Sequence, residues 1–166
     1  MRFILNSWIF CFFGTAFGEP VLKNSGFEGK LEPWACEEGK IVRDPAGGPN
    51  QVLEVALENG VFALDQKLEW PAGAGMLELR LRVRSSDASE DSPVQLRARL
   101  VDGEGNSAIV AAFRVVKANE WLELKSLVRK PNHRETVLLI ESNRGDGLLW
   151  LDDIKLMEIR RQKLTP

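Results

Sequence analysis

The stretch MLELRLRVR at residues 76–84 alternates, from Leu77 onward, between apolar and charged side chains. A period of two is typical of a β-strand that buries one face and exposes the other to solvent. Residues 94–100, VQLRARL, repeat the pattern with an apolar residue at every second position. The two stretches therefore predict two strands of an antiparallel all-β fold, each with a charged outer face.

Turn signals divide the rest of the chain into further short strands. Asn-Gly at 59–60, Pro-Ala-Gly at 71–73 and Asp-Gly at 102–103 are typical turn sequences. After residue 18, no segment keeps a helical period over three turns. Short strands about ten residues apart predict a two-sheet sandwich or a barrel. The additional predicted strands are 51–57, 61–68, 109–116, 121–128, 136–141 and 148–159.

The N-terminus reads as an export signal. Arg2 precedes an apolar run at 3–13, and the small residues at 14–18 suit cleavage after Gly18. The run is shorter than the roughly 20 apolar residues of a membrane span. We therefore expect residues 1–18 to be a signal peptide, 19–160 to be one domain and 161–166 to be a tail. The expected location is outside the cell, in the periplasm or at the cell envelope.

The composition excludes several classes of protein. The chain carries 22 basic and 24 acidic residues, so it lacks the basic excess of a nucleic-acid binder. The single histidine, His133, lies in a predicted turn, so we expect neither a histidine metal cluster nor a catalytic triad. Acidic residues are plentiful, but none lies in a motif that indicates a raised pKa. After signal cleavage only Cys36 remains, so no internal disulfide is expected. We expect a binding protein without catalytic activity.

Three parts of the chain, in a fixed order, carry a family resemblance. Residues 22–29, LKNSGFEG, are followed by Trp34; the strand 76–84 and the Asn-Glu-Trp at 119–121 lie in the middle; and 149–156, LWLDDIKL, close the domain. In these features the chain resembles carbohydrate-binding modules of families 4, 9 and 22. That resemblance implies a galactose-binding-domain-like jelly roll, a sandwich of two antiparallel sheets, and non-catalytic binding of an extracellular polysaccharide by a monomer.

The resemblance also implies a structural calcium ion where the first and last strands meet. Mapped onto this sequence, the side-chain ligands are Glu28 and either Asp152 or Asp153. Carboxylate and carbonyl oxygens suit calcium, which takes six to eight oxygen ligands. The alternative is that these acids only form hydrogen bonds with the backbone at the strand ends.

Two sets of side chains are candidates for binding the glycan. Trp70, beside a predicted turn, is the best candidate for an exposed stacking ring, although core packing is the alternative. The arginines form one guanidinium patch for an acidic glycan if their two strands are neighbours in one sheet. Otherwise they form a solvated face paired with acids, and the protein is then a structural or protein-interaction sandwich of the cell envelope without a sugar site. These arginines are Arg80, Arg82, Arg84, Arg97 and Arg99.

Overall fold

The structure is a computed structural model, which describes residues 17–57, 61–131 and 135–159. Within these ranges the chain forms ten strands and no helix. The strands are β1 (Phe17–Pro20), β2 (Gly39–Arg43), β3 (Gln51–Ala56), β4 (Val61–Glu69), β5 (Met76–Ser85), β6 (Val94–Asp102), β7 (Ser107–Val115), β8 (Leu122–Arg129), β9 (Glu135–Arg144) and β10 (Leu148–Ile159).

The strands form two antiparallel sheets. The six-stranded sheet has the order β2-β3-β10-β5-β8, and β1 pairs with the far end of β10, beyond the residues that pair with β3. The four-stranded sheet has the order β4-β9-β6-β7. The predicted all-β antiparallel sandwich is confirmed.

The core lies between the sheets and is built from the alternating residues. Leu77, Leu79, Leu81 and Val83 of β5 are almost completely buried, as are the apolar residues at alternate positions from Val94 to Leu100 in β6. Because β5 and β6 belong to different sheets, their apolar faces meet in this core. Their charged faces therefore point away from each other, on opposite sides of the molecule.

The segment between β1 and β2 covers one edge of the sandwich. Phe27 and Trp34 are both buried, and their ring centroids are 5.9 Å apart. Further along, Ala35 exchanges two backbone hydrogen bonds with Asp65 of β4, at 2.8 and 2.9 Å. This bridge extends the four-stranded sheet by a short stretch and fixes the segment beside β4.

Two strands were missing from the sequence prediction. β2 is only five residues long and contains a Gly-Lys start, so its alternation is too short to stand out. β1 includes Phe17 and Gly18, which belong to the predicted signal peptide, and the predicted cleavage point therefore lies inside a strand. The remainder of the predicted signal, residues 1–16, lies outside the described part of the chain, as do the last residue of the predicted domain and the tail at 161–166.

Candidate functional site

Trp70, the predicted stacking residue, lies in the core. Its side chain is 2% exposed, and its indole N–H donates a 2.7 Å hydrogen bond to the carbonyl of Ala74 in the following turn. The proposed role in stacking on a sugar ring is therefore wrong, because a sugar cannot reach the ring. Packing against the core satisfies both the apolar body and the polar tip of this side chain.

The predicted single arginine patch is also wrong. Arg80, Arg82 and Arg84 lie on the outer face of the six-stranded sheet, whereas Arg97 and Arg99 lie on the outer face of the four-stranded sheet. The physical reason is that alternation tells which side of a strand is solvated but not to which sheet the strand belongs. The two faces therefore have to be considered separately.

On the six-stranded sheet, the arginines of β5 differ in their surroundings. Arg80 forms an ion pair with Glu78 of the same strand. The guanidinium of Arg84 lies over the Trp150 ring, 5.9 Å from its centroid, within the range of a cation–π contact. Arg80 is thus ion-paired, whereas Arg84 contacts the ring and its buried Nε has no hydrogen-bond partner among the described residues.

The acid Glu54 on the same face has a pKa that its neighbours control. Burial alone would raise the pKa, but the ammonium of Lys40 at 2.8 Å and the indole N–H of Trp150 at 2.8 Å lower it below the ordinary value of 4.5. A lowered folded-state pKa stabilises the fold above the unfolded-state value, and this stability is lost as the pH falls through the folded-state value.

We therefore expect Glu54→Gln to change how the free energy of unfolding falls as the pH is lowered. Urea unfolding between neutral pH and about pH 3 should show a shallower loss of free energy in the variant than in the wild type. Glu123→Gln, an exposed acid on the same face paired only with exposed Lys125, is the matched control and should follow the wild-type curve. If the free energy of unfolding of wild type and Glu54→Gln falls equally as the pH is lowered, this role of Glu54 is contradicted.

Arg82 connects this face to the predicted calcium ligands. Its guanidinium donates to Asp152 at 3.1 Å and lies 4.7 Å from the centroid of Trp121, whose indole N–H donates to Asp44 at 3.2 Å. The carboxylate of Asp152 also accepts a 3.0 Å hydrogen bond from the amide of Asn50. Arg82 therefore binds an acid of its own chain and is not free to bind a glycan.

Asp152 is the buried centre of this cluster. It is 2% exposed, and its other oxygen accepts a 2.7 Å hydrogen bond from the backbone N–H of Asp153. Burial raises the pKa of the Asp152 carboxyl, which the charge of Asp153 reinforces and the hydrogen bonds partly offset. Asp153 itself is half-buried and paired with Lys155 at 2.8 Å.

Glu28 approaches the same place from the loop before β2. A Cβ atom added to Gly26 would lie 3.8 Å from Asp152 Oδ1 and 4.0 Å from the Cγ of Glu28, so both side chains lie near this glycine. The backbone of Ser25 accepts a 2.9 Å hydrogen bond from Ile154, which fixes the loop to β10. Among the described residues, however, no group of three His, Cys, Asp or Glu side chains is arranged around one point as metal ligands.

The outer face of the four-stranded sheet has a different character. In the register of the sheet, Ala63, Glu141, Arg97 and Ala112 form one row across the four strands. The next row is Asp65, Leu139, Arg99 and Ile109. The described side chains on this face include no aromatic ring. Small and aliphatic residues therefore surround a polar centre made by two arginines and a glutamate.

The four charges in these two rows, of Glu141, Arg97, Asp65 and Arg99, balance in number, but the ion pairs leave one arginine without a direct partner. Glu141 Oε1 lies 3.4 Å from Nε of Arg99 and neutralises it. Arg97 lies directly opposite Glu141 in the register, yet it has no hydrogen-bond or ion-pair partner among the described side chains. Arg114, further along β7, is paired with Glu90 at 3.1 Å. Among the arginine side chains of this face that the structure describes, Arg97 is therefore the one available for an external ligand.

The same face contains two concave regions. A groove of about 270 Å³ lies between β6 and β7 and is lined by Arg97, Ala112 and Arg114. A larger one of about 630 Å³ lies at the end of the face, where Lys67 and Val101 meet Pro33 of the segment bridged to β4. The sheet thus forms the base of the larger concave region, and the segment that contains Pro33 forms one side of it.

Sequence reasoning missed Glu141, Ala63 and Ala112 as members of this site. Glu141 is one of 24 acids, and the alanines have no functional group. Only the strand register, which brings Ala63 and Ala112 into one row with Arg97, identifies them. In the sequence, the one usable signal was the position of Arg97 and Arg99 on the polar side of a strand.

No protein-family model matches the chain, and a search of curated protein sequences finds no match. The fold, in contrast, matches solved carbohydrate-binding modules. The module TmCBM61, in complex with β-1,4-galactotriose, has a TM-score of 0.64 and 20% identity, covering 85% of this chain and 99% of that one. The xylan-binding CBM22-1 domain of Xyn10C from Paenibacillus barcinonensis has a TM-score of 0.64 and 18% identity, covering 87% and 97%.

The C-terminal family 22 carbohydrate-binding module of Xyn10B from Clostridium thermocellum has a TM-score of 0.60 and 15% identity, covering 81% of this chain and 92% of that one. The chain therefore has the jelly-roll fold of carbohydrate-binding modules, and the predicted resemblance is confirmed at the level of the fold. Separately, no helix in the described part of the chain is long and apolar enough to cross a membrane.

Proposed function

We propose that this chain is a non-catalytic carbohydrate-binding module that binds a polysaccharide on the outer face of the four-stranded sheet. The observation that carries the proposal is Arg97, a guanidinium without an ion-pair partner among the described side chains, in a row whose two ends are the small side chains of Ala63 and Ala112. Glu141 beside it supplies acceptors for sugar hydroxyls, and a separate concave region lined by Pro33 and Lys67 lies at the end of the same face. The similarity to sugar-binding modules supports a glycan as the ligand, although the fold alone hosts other functions.

We expect Arg97→Ala to weaken glycan binding by about tenfold or more, because hydrogen bonds to charged groups contribute about 1.5–3 kcal/mol. Isothermal titration calorimetry against galactan, xylan and pectate measures the effect. Arg80→Ala, on the opposite sheet, is the matched control and should bind like the wild type. If Arg80→Ala weakens binding and Arg97→Ala does not, the glycan binds the six-stranded face and the proposed site is wrong.

The proposal includes a structural calcium ion held by Glu28 and Asp152. The side chains of both acids lie near Gly26, and the carboxylate of Asp152 is buried, which favours a cation beside it. The remaining oxygen ligands would come from Asp153 and from backbone carbonyls of the loop at 24–28. They are needed because calcium takes six to eight oxygens, and the described residues contain no group of three His, Cys, Asp or Glu side chains around one point. Bound calcium supplies a cross-link between this loop and the last strand.

Saturating calcium should raise the melting temperature of the wild type by about 5–10 °C relative to chelator, since binding at 100 times the dissociation constant stabilises by about 2.7 kcal/mol. Glu28→Gln should lose much of this shift. Glu32→Gln, an exposed acid of the same loop, should retain it. A wild-type melting curve that is the same in calcium and in chelator would remove the ion from the proposal.

We also propose that the module acts outside the cytoplasm, after cleavage of residues 1–18. Arg2 and the apolar run at 3–13 support this location. The intact mass of the exported protein decides the matter, because cleavage after Gly18 leaves Glu19 as the first residue. A mass that retains Met1 would contradict both the proposed cleavage after Gly18 and the proposed location.

A specific observation favours protein interaction as a second candidate function. Ile109 and Leu127 are 52% and 57% exposed and lie beside a groove of about 500 Å³ between β7 and β8. Exposed apolar side chains around a groove are typical of interaction surfaces. Failure of every glycan to bind the folded protein would favour this function over the first.

A further inference from the structure

We infer that the polysaccharide bound at this face is a uronic-acid polymer, whose carboxylate is bound by Arg97. This inference rests on the proposed function and specifies its ligand. On this face Glu141 pairs with Arg99 and Glu90 pairs with Arg114, so Arg97 is the arginine without an ion-pair partner among the described side chains.

A sugar on this face is bound without an aromatic side chain among the described residues. Many sugar sites gain affinity by stacking a sugar ring on an aromatic side chain, and the described side chains on this face provide none. Trp70 is in the core, and Trp121 and Trp150 contact arginines on the other sheet. Hydrogen bonding and charge must therefore supply the recognition, and the unpaired guanidinium is the strongest such group on the face.

The shape of the guanidinium favours one type of anion. The planar guanidinium of Arg97 has a donor geometry that fits a carboxylate with two parallel hydrogen bonds. Ala63 and Ala112 on either side of its row leave space for a sugar ring at the level of the sheet. A single carboxylate takes both parallel hydrogen bonds from one guanidinium, so a polymer with one carboxylate per sugar matches an arginine that has no ion-pair partner.

The test compares polygalacturonate, alginate and glucuronoxylan with the same polymers after carboxyl reduction, which removes the charge and keeps the backbone. We expect the wild type to bind at least one acidic polymer about tenfold or more tightly than its reduced counterpart. Arg97→Ala should lose this preference. Arg97→Lys, which keeps the charge but not the fork, should keep only part of it, and Arg80→Ala should keep it fully.

The outcomes separate the inference from the proposed function. Equal affinity for acidic and reduced polymers, or tighter binding to the reduced ones, overturns the inference and leaves the glycan-binding module in place. Absence of binding to every polymer overturns both. Tight binding to dextran sulfate that Arg97→Ala does not weaken indicates unspecific charge attraction and also overturns the inference.

Discussion

Replacing Trp70 with alanine is expected to lower the free energy of unfolding by about 3–5 kcal/mol, as is typical when a large buried aromatic side chain is truncated. Trp70 is 2% exposed and belongs to the core between the two sheets. Its removal leaves a cavity that the surrounding strands cannot fill, and the carbonyl of Ala74 loses its indole donor. Urea unfolding followed by circular dichroism measures the loss.

Trp70→Phe divides this loss into its two parts. The phenyl ring keeps most of the apolar volume, but it cannot donate to the Ala74 carbonyl, so we expect a loss of about 1–3 kcal/mol from a buried acceptor left without its partner. Below the onset of unfolding, both variants should bind glycan as the wild type does. A variant that keeps its stability and loses glycan affinity would instead place the ring in the binding site.

The strands could be predicted from the sequence because burial of one face places apolar residues at every second position. The alternation in β5 and β6 indicated the buried residues at every second position from Leu77 to Val83 and from Val94 to Leu100, all of which are in the core. The closing strand at β10 was predicted with its bounds. Short strands such as β2 have too few residues to show the period.

The site was harder to predict, because it depends on which strands are neighbours. Nothing local in the sequence tells that β5 lies beside β10 and β8 while β6 lies beside β9 and β7. The arginines were therefore combined across two sheets. The role of Trp70 was ambiguous for a similar reason, since a tryptophan before a proline at a strand end is equally compatible with exposure and with burial. Register and packing, which are long-range properties, decide both questions.

Asp152 shows how one acid can hold several segments together. Its carboxylate accepts hydrogen bonds from Arg82 of β5, from Asn50 before β3 and from the backbone of Asp153. Asp152→Ala removes the acceptor of all three hydrogen bonds at a buried position. Measured in chelator, the variant should be less stable than the wild type by about 2–4 kcal/mol, because buried donors and a partly buried guanidinium lose their partner.

The neighbouring acid provides a matched comparison. Asp152→Asn keeps the size of the side chain, but its amide N–H₂ must face a donor, either Arg82 with Asn50 or the N–H of Asp153, so about 1–3 kcal/mol should be lost. Asp153→Asn removes only a half-exposed ion pair with Lys155. Since asparagine also tolerates the positive φ of 49° at this position, the expected loss is below about 1 kcal/mol. Equal losses in the two asparagine variants would mean that Asp152 is not the acid that joins the loop, β3 and β5 to the last strand.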